Sequence, residues 1–358
     1  MVKNEHGQAC IVGLGARTPV GASVLPSTAA VRAGISRFGQ HPYMVDRYDG
    51  EPMVVAMDAF LPPETGSTDR FLELGLPAAG EALATLAAKG RMDIPLSVII
   101  GLPVKRPGLP EDLGAKVTER FMDEWRNAFP GMNVDTISAG HSAGLMAIQE
   151  ACRKIGSGET RFYLAGGIES YLEPETLEWL ESQDQLHCDS NSLGFIPGEA
   201  AGFCLVADKY EVKRLGLNKF GDILTATTER ETNLIKTDSV CLGEGLTEAI
   251  NRTLQNLPPN IKVDFTICDI NGEPYRGDEL GYAIVKTSEH FIDATDFMTP
   301  ADCWGDVGAA SGPLFIMLAA MAGKKGYANG PHTLIWTSSE GGERSAALLH
   351  VINQEVRK

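Results

Sequence analysis

The sequence predicts an α/β protein built as two related halves, and three observations carry that prediction. Short β-branched runs alternate with helical patterns along the chain, which implies parallel strands covered by helices on both faces. Two helices, at 145–155 and 309–322, are so apolar that they belong in the interior, covered on both sides. The order of elements around the first helix (loop, apolar helix, strand, Gly-Gly) returns around the second. A repeat of that kind fixes architecture before any local motif does. It predicts two βα layers meeting about a pseudo-twofold, residues 1–210 and 211–358, with no Pro/Ser linker between them and hence one compact unit.

In the first half, 10–12 reads as a buried strand leaving into a tight Gly13-Leu14-Gly15 turn, 72–89 as a helix, 97–101 as a strand and 115–129 as a helix stopped by Pro130-Gly131. A strand at 134–137 then runs into the segment 138–144 and the helix at 145–155. The next strand, 161–165, ends at Gly166-Gly167, and a hairpin-like pair is expected at 202–207. In the second half, 219–228 is strand-like, 245–257 an amphipathic helix, and 264–269 a strand ending at Asn271-Gly272. Residues 299–308 form a loop, 309–322 the second apolar helix, and 333–337 a strand ending at Gly341-Gly342.

Composition narrows the functional classes. In 358 residues, 31 Lys and Arg stand against 47 Asp and Glu, a net charge of −16. Such a surface opposes nucleic acid and anionic membranes, which both require local positive charge. An acidic partner would have to meet a patch such as Lys105-Arg106 or Lys324-Lys325. The 7 cysteines are scattered without a C-x-x-C pair, which points to reduced thiols in a cytoplasmic protein and neither a disulfide frame nor a zinc site. The N-terminal stretch is polar, without a signal-peptide core, and the apolar run at 314–323 is shorter than the roughly 20 residues a membrane helix needs.

Two motifs invite chemistry. Gly13-Leu14-Gly15 follows a strand, but the third glycine of a dinucleotide fingerprint is replaced by Thr18 and followed by Pro19, so no nicotinamide cofactor is implied. Gly140-His141-Ser142-Ala143-Gly144 fits G-x-S-x-G, a nucleophile elbow in which Ser142 would be the nucleophile and His290, His332 or His350 could complete a triad. A serine capping a helix N-terminus is the competing reading of Ser142.

Longer segments point elsewhere. Residues 131–170 (GMNVDTISAGHSAGLMAIQEACRKIGSGETRFYLAGGIES) resemble the central segment of the β-ketoacyl synthases and wider thiolase-like enzymes. Residues 194–202 (GFIPGEAAG), 305–312 (GDVGAASG) and 339–348 (SEGGERSAAL) resemble, in the same order, that family's "GF-x-x-GEGAG", "GHxxGAAG" and "GFGGTNA" segments. The N-terminal "IVGLGARTPVGAS…VRAGIS" extends the likeness over nearly the whole chain. The resemblance implies a thiolase-like, duplicated five-layer α-β-α-β-α fold and a homodimer, with the strand at 161–165 a candidate to pair across the twofold.

The family's catalytic set is not carried over. Counted from Ala147-Ile148, its cysteine nucleophile falls on His141. Its first active-site histidine falls near Asn271, its second on Gly305 with Trp304 and Asp306 beside it, its lysine near Pro300, and its gatekeeping phenylalanine on Glu340. Condensation needs a thiolate to hold the acyl chain and two donors for the developing charge; none of the three is in place. Cys303 has two readings, a displaced nucleophile or a packed free thiol. Phe195 is expected over the pocket mouth, so that Phe195, Cys303, Trp304, Gly305 and Glu340 outline the expected pocket around His141, Ser142, Asn271 and Asp306.

Two functions follow. One is a degenerate synthase-like protein that works by ligand or partner binding or as an accessory subunit; synthase-like proteins of this type occur in bacterial secretion and biosynthetic gene clusters. The other is an acyltransferase or (thio)esterase acting on an acyl thioester or ester through Ser142 or His141. No cofactor or metal is called for by either.

Overall fold

In the computed structural model, residues 8–48, 50–91, 94–255, 257–258 and 261–352 are described. The first half runs β1 (Ala9–Arg17), α1 (Val24–Arg32), β2 (Gly39–Val45), β3 (Pro52–Val55), α2 (Ser67–Ala87), β4 (Ser97–Leu102), α3 (Leu113–Trp125), β5 (Asn133–Ser138), α4 (Ala143–Gly156), β6 (Phe162–Ser170), α5 (Pro174–Ser182) and β7 (Glu199–Asp208). The second runs α6 (Lys209–Leu215), β8 (Gly221–Arg230), α7 (Glu244–Leu254), β9 (Phe265–Cys268), α8 (Pro274–Thr287), β10 (Phe297–Met298), α9 (Ala301–Trp304), α10 (Ser311–Lys324), β11 (His332–Ser338) and β12 (Glu343–Val351).

The strands line up as β5-β4-β6-β7-β1 in one half and β10-β9-β11-β12-β8 in the other. The two sets follow the same plan. Three neighbouring strands are parallel, and the fourth and fifth are antiparallel to their neighbours. They join where Ala9–Ile11 of β1 pairs with Gly221–Ile223 of β8, so the ten strands form one hydrogen-bonded sequence rather than two separate sheets.

Three apolar clusters fill the layers between and outside the sheets. The central one packs α4 and α10 between the two halves. A second lies under α2 and α3 on the outer face of the first half, and a third under α7 and α8 on the outer face of the second. Helix α10 is buried on nearly every side, as an unbroken apolar sequence demands. This is the five-layer α-β-α-β-α arrangement. Among the described residues, no helix is long and apolar enough to cross a membrane.

Several local expectations are corrected. Gly13-Leu14-Gly15 is no turn: β1 passes straight through it. The glycines serve close packing, since a Cβ on Gly13 or Gly15 would come within 2.1 or 1.8 Å of the Ala82 or Ala78 carbonyl oxygen of α2. Nor does β6 stop at Gly166-Gly167. It continues to Ser170 because β7 and, through Gly167, β4 keep pairing with it. Lying between β4 and β7, β6 has both edges occupied and cannot pair across a twofold; β5 is the open edge of that half. The expected loop 299–308 contains α9 and a single 3-10 turn at Gly308–Ala310.

Candidate functional site

The polar centre of the molecule lies where the heads of α4 and α10 meet. Strand β5 ends and the chain makes a 3-10 turn at Gly140–Ser142 before α4; the corresponding turn at Gly308–Ala310 precedes α10. The loops after β9 and β11 close over both. This is the carboxyl end of the parallel strands, where open α/β sheets place their ligands.

His141 is buried here, and its Nε2 lies 2.9 and 2.8 Å from the two carboxylate oxygens of Asp306. Asp306 also accepts from Asn271 Nδ2 at 2.6 Å and from the Gly308 backbone N–H at 2.8 Å. The structure thus brings together His141, Asn271 and Asp306, three of the four residues expected to act. Behind them stands Arg276, with Nη2 3.1 Å from His141 Nε2 and Nη1 3.0 Å from both Asp269 Oδ2 and the Ser338 carbonyl. The two carboxylate oxygens of Asp306 only accept and so favour a proton on Nε2, whereas the Arg276 guanidinium only donates and opposes one.

The charges settle as a set. Burial disfavours a charged His141, and Arg276 adds to that, but the Asp306 carboxylate outweighs both and raises the imidazole pKa. Burial alone would push Asp306 upward; His141 and Arg276 reverse this and hold it well below the ordinary carboxylate range. A protonated, hydrogen-bonded Nε2 has no lone pair with which to accept a proton or an acyl group. With a proton on Nε2, His141 presents that nitrogen to Asp306 as a donor.

Ser142 is excluded from this group. Its side chain is fully buried, and the hydroxyl donates to the Thr337 and Glu343 carbonyls at 3.1 and 3.0 Å while its backbone N–H donates to Ser339 Oγ at 2.8 Å. These bonds tie the head of α4 to β11 and β12. His290, His332 and His350 make no hydrogen bond to it; His332 and His350 stack on one another at 5.3 Å between ring centroids, on paired strands.

Over His141 remains a cavity of about 50 Å3, lined in part by Arg106, Tyr171, Phe195, Glu273 and Glu340. Phe195 packs edge-on against Tyr171, 5.5 Å between centroids, and Glu340 forms part of the rim, as expected for both. Cys303, Trp304 and Gly305 are not in the lining. The short helix α9 turns Cys303 and Trp304 into the central core, and Gly305 is pressed against the Ile196 carbonyl, so Asp306 alone of that segment faces the cavity. Burial also pushes the Cys303 thiol up, away from thiolate character. Arg106 is likewise turned inward, bonded to Glu169 and the Ser170 carbonyl at 2.7 Å and stacked on Tyr171, so Lys105-Arg106 is no surface basic patch.

The rim is closed by an ion cluster. Lys236 Nζ lies 2.7 Å from Glu340 and 3.2 Å from Glu273, and Gln185 Nε2 donates to Glu340 at 3.2 Å. Sequence reasoning missed Arg276, Arg106, Glu273 and Lys236. Arg276 had a signal: Pro274 after Asn-Gly-Glu is the N1 proline of a helix, and Arg276 lies in its first turn.

Comparison with known proteins agrees with the fold. Residues 126–211 match the family model "Beta-ketoacyl synthase, N-terminal domain". The comparison with curated proteins gave no match. Similar solved structures include the ishigamide ketosynthase/chain length factor, at 14% identity and a TM-score of 0.81, covering 97% of this chain and 99% of that one. A second is a type II polyketide synthase acyl-carrier protein in complex with its ketosynthase bound to the hexaketide, at 16% identity and TM-score 0.79, covering 96% and 99%. A third is the ketosynthase from module 6 of the bacillaene synthase of Bacillus subtilis 168, at 15% identity and TM-score 0.77, covering 96% and 72%. The chain has the thiolase-like fold of the ketosynthases, with that family's N-terminal-domain pattern over 126–211.

Proposed function

We propose that this chain is a degenerate ketosynthase-like protein without condensing activity, working in the cytoplasm as an accessory subunit that binds a protein partner or ligand. The observation that carries the proposal is the state of His141. It stands where the resemblance puts the nucleophilic cysteine, and its Nε2 lies within hydrogen-bond distance of both carboxylate oxygens of Asp306, beneath a cavity of about 50 Å3. Small-molecule pockets usually measure about 300–1,000 Å3, so the space directly over His141 is too small for an acyl chain, and the larger hollow of about 370 Å3 beside it, sharing Trp179, Glu273 and Glu340, is lined without His141. Asn271 bonds the same carboxylate instead of offering an imidazole to a carbanion. Partner binding is supported by two of the similar structures, one a ketosynthase/chain length factor and one a ketosynthase in complex with its acyl-carrier protein. For self-association the open β5 edge is available where β6 is not.

The acyltransferase or (thio)esterase reading has weaker support, because Ser142 is buried in bonds to backbone carbonyls and His141 does not reach its hydroxyl. Incubation with radiolabelled acyl-CoA or acyl carrier protein should leave the protein unlabelled, and a fluorophosphonate should not modify Ser142. Acyl transfer onto the chain, or stoichiometric labelling at Ser142, would overturn the non-catalytic reading.

A further inference from the structure

Where α1 of the first half meets the second half lies another hollow, different in character from the one over His141. A cavity of about 180 Å3 lies between α1, α10 and the β9–β10 edge, with walls that are mainly apolar: Val31, Phe265, Ile267, Met298 and Leu318 among them. At its mouth Arg32, the last residue of α1, places its guanidinium carbon over the ring of Tyr327, 4.0 Å from the ring centroid. The guanidinium is exposed, and no carboxylate among the described residues pairs with it. Most other arginines of this acidic protein do have such a partner, as Arg17, Arg47, Arg70, Arg106, Arg276 and Arg344 show.

An oriented, unpaired cation at the entrance of an apolar hollow selects an amphiphile with one anionic end. The ring holds the guanidinium, which suits a bidentate carboxylate, while the walls gain from apolar burial at about 25 cal/mol per Å2. At roughly 30 Å3 per water-sized group, the volume takes on the order of six heavy atoms. We infer that this is a binding site for a small aliphatic carboxylate of about six carbons, tail among Leu318 and Ile267 and carboxylate on Arg32. The site is independent of the His141 cluster and does not rest on the function proposed above.

Hexanoate, with hexanol as its uncharged match, is the probe; binding is followed by saturation-transfer NMR and calorimetry on the full chain. Wild type should bind hexanoate more tightly than hexanol. Arg32→Ala should weaken hexanoate by about fivefold, the value of an exposed ion pair, and leave hexanol unchanged. Ala319→Leu, which fills the cavity from α10, should abolish both, and Ala319→Ser, which keeps the volume, should retain them. No hexanoate binding by wild type would overturn the inference. So would equal affinity for hexanol, or binding that survives in Ala319→Leu.

Discussion

Gly140–Ser142 and Gly308–Ala310 are each a single 3-10 turn opening on a left-handed glycine, with φ of 64° and 40°, and each feeds a helix of 14 residues, of which α10 is buried on nearly every side while α4, against the sequence expectation, keeps one face with Arg153 exposed. In the second half the turn works through its backbone: the Gly308 N–H donates to Asp306 and the Ala309 N–H to Glu169 at 3.2 Å. In the first half it works through side chains, with His141 and Ser142 both reaching across to residues of the other half. The duplicated frame therefore carries chemistry on one side only. What that side presents is neutralised by Asp306 from the other. The lesson is that the same turn geometry serves two different uses, because the packing of two helix heads calls for the same backbone in both halves.

Four experiments break or sharpen this contrast. The largest effect is expected for Asp306→Ala, which removes the buried carboxylate that His141 and Asn271 both bond; a loss of about 3–5 kcal/mol should appear in urea unfolding. If the two turns differ as described, alanine at their glycines should be unequal. At Gly308 a Cβ would come within 2.2 Å of Glu169 Oε2, whereas at Gly140 its nearest neighbour would be Ser339 Oγ, 3.6 Å away. Gly308→Ala should then cost roughly 2–4 kcal/mol, from backbone strain plus overpacking, and Gly140→Ala about 1–2 from strain alone. Equal values would erase the distinction.

Ser142→Ala removes a buried hydroxyl whose acceptor carbonyls keep other donors, Ser339 N–H among them, so about 1 kcal/mol is expected by thermal unfolding. The smallest effect is on pH dependence. The folded pKa of His141 is raised above 6.5, so its contribution is full below that pH and is lost as pH climbs through the folded value. The pKa of Asp306 is depressed below 3.8, so its contribution is full above that pH and is lost on acidification. The stability margin of wild type over His141→Gln should therefore be widest between pH 3.8 and 6.5 and shrink above. A margin that grew with pH would show that His141 is buried neutral.

The periodic elements were legible. Helices α2, α3, α4, α7 and α10 all stand within a few residues of their expected positions, because each has a strong apolar period or an unbroken apolar run. The short elements were not: β10 has two residues and α9 four, too few for any period. Helix α8, which carries Arg276, was missed because its apolar face is interrupted by charged residues that are buried in pairs, Arg276 with Asp269 and Glu279 with Arg344. Of the candidate site, His141, Asn271 and Asp306 were found by counting from family-like segments. Cys303, Trp304 and Gly305 were placed wrongly because neighbouring positions on a short turn point in different directions, and sequence distance does not say which faces the hollow.

The sequence by itself determined the duplicated α/β plan, the absence of a thiol at the head of α4 and the gathering of acidic and polar residues in its place. These depend on residue identity and local period, which are written along the chain. Only the tertiary structure decided which partner each charge takes, that Ser142 is a tie between layers, and that Arg32, with no carboxylate partner among the described residues, stands at an apolar hollow that shares no lining residue with the first. Such facts arise from atoms 65 to 197 residues apart meeting at a few ångströms, as in Glu279–Arg344, His141–Asp306 and Ser142–Ser339, and no local pattern encodes them.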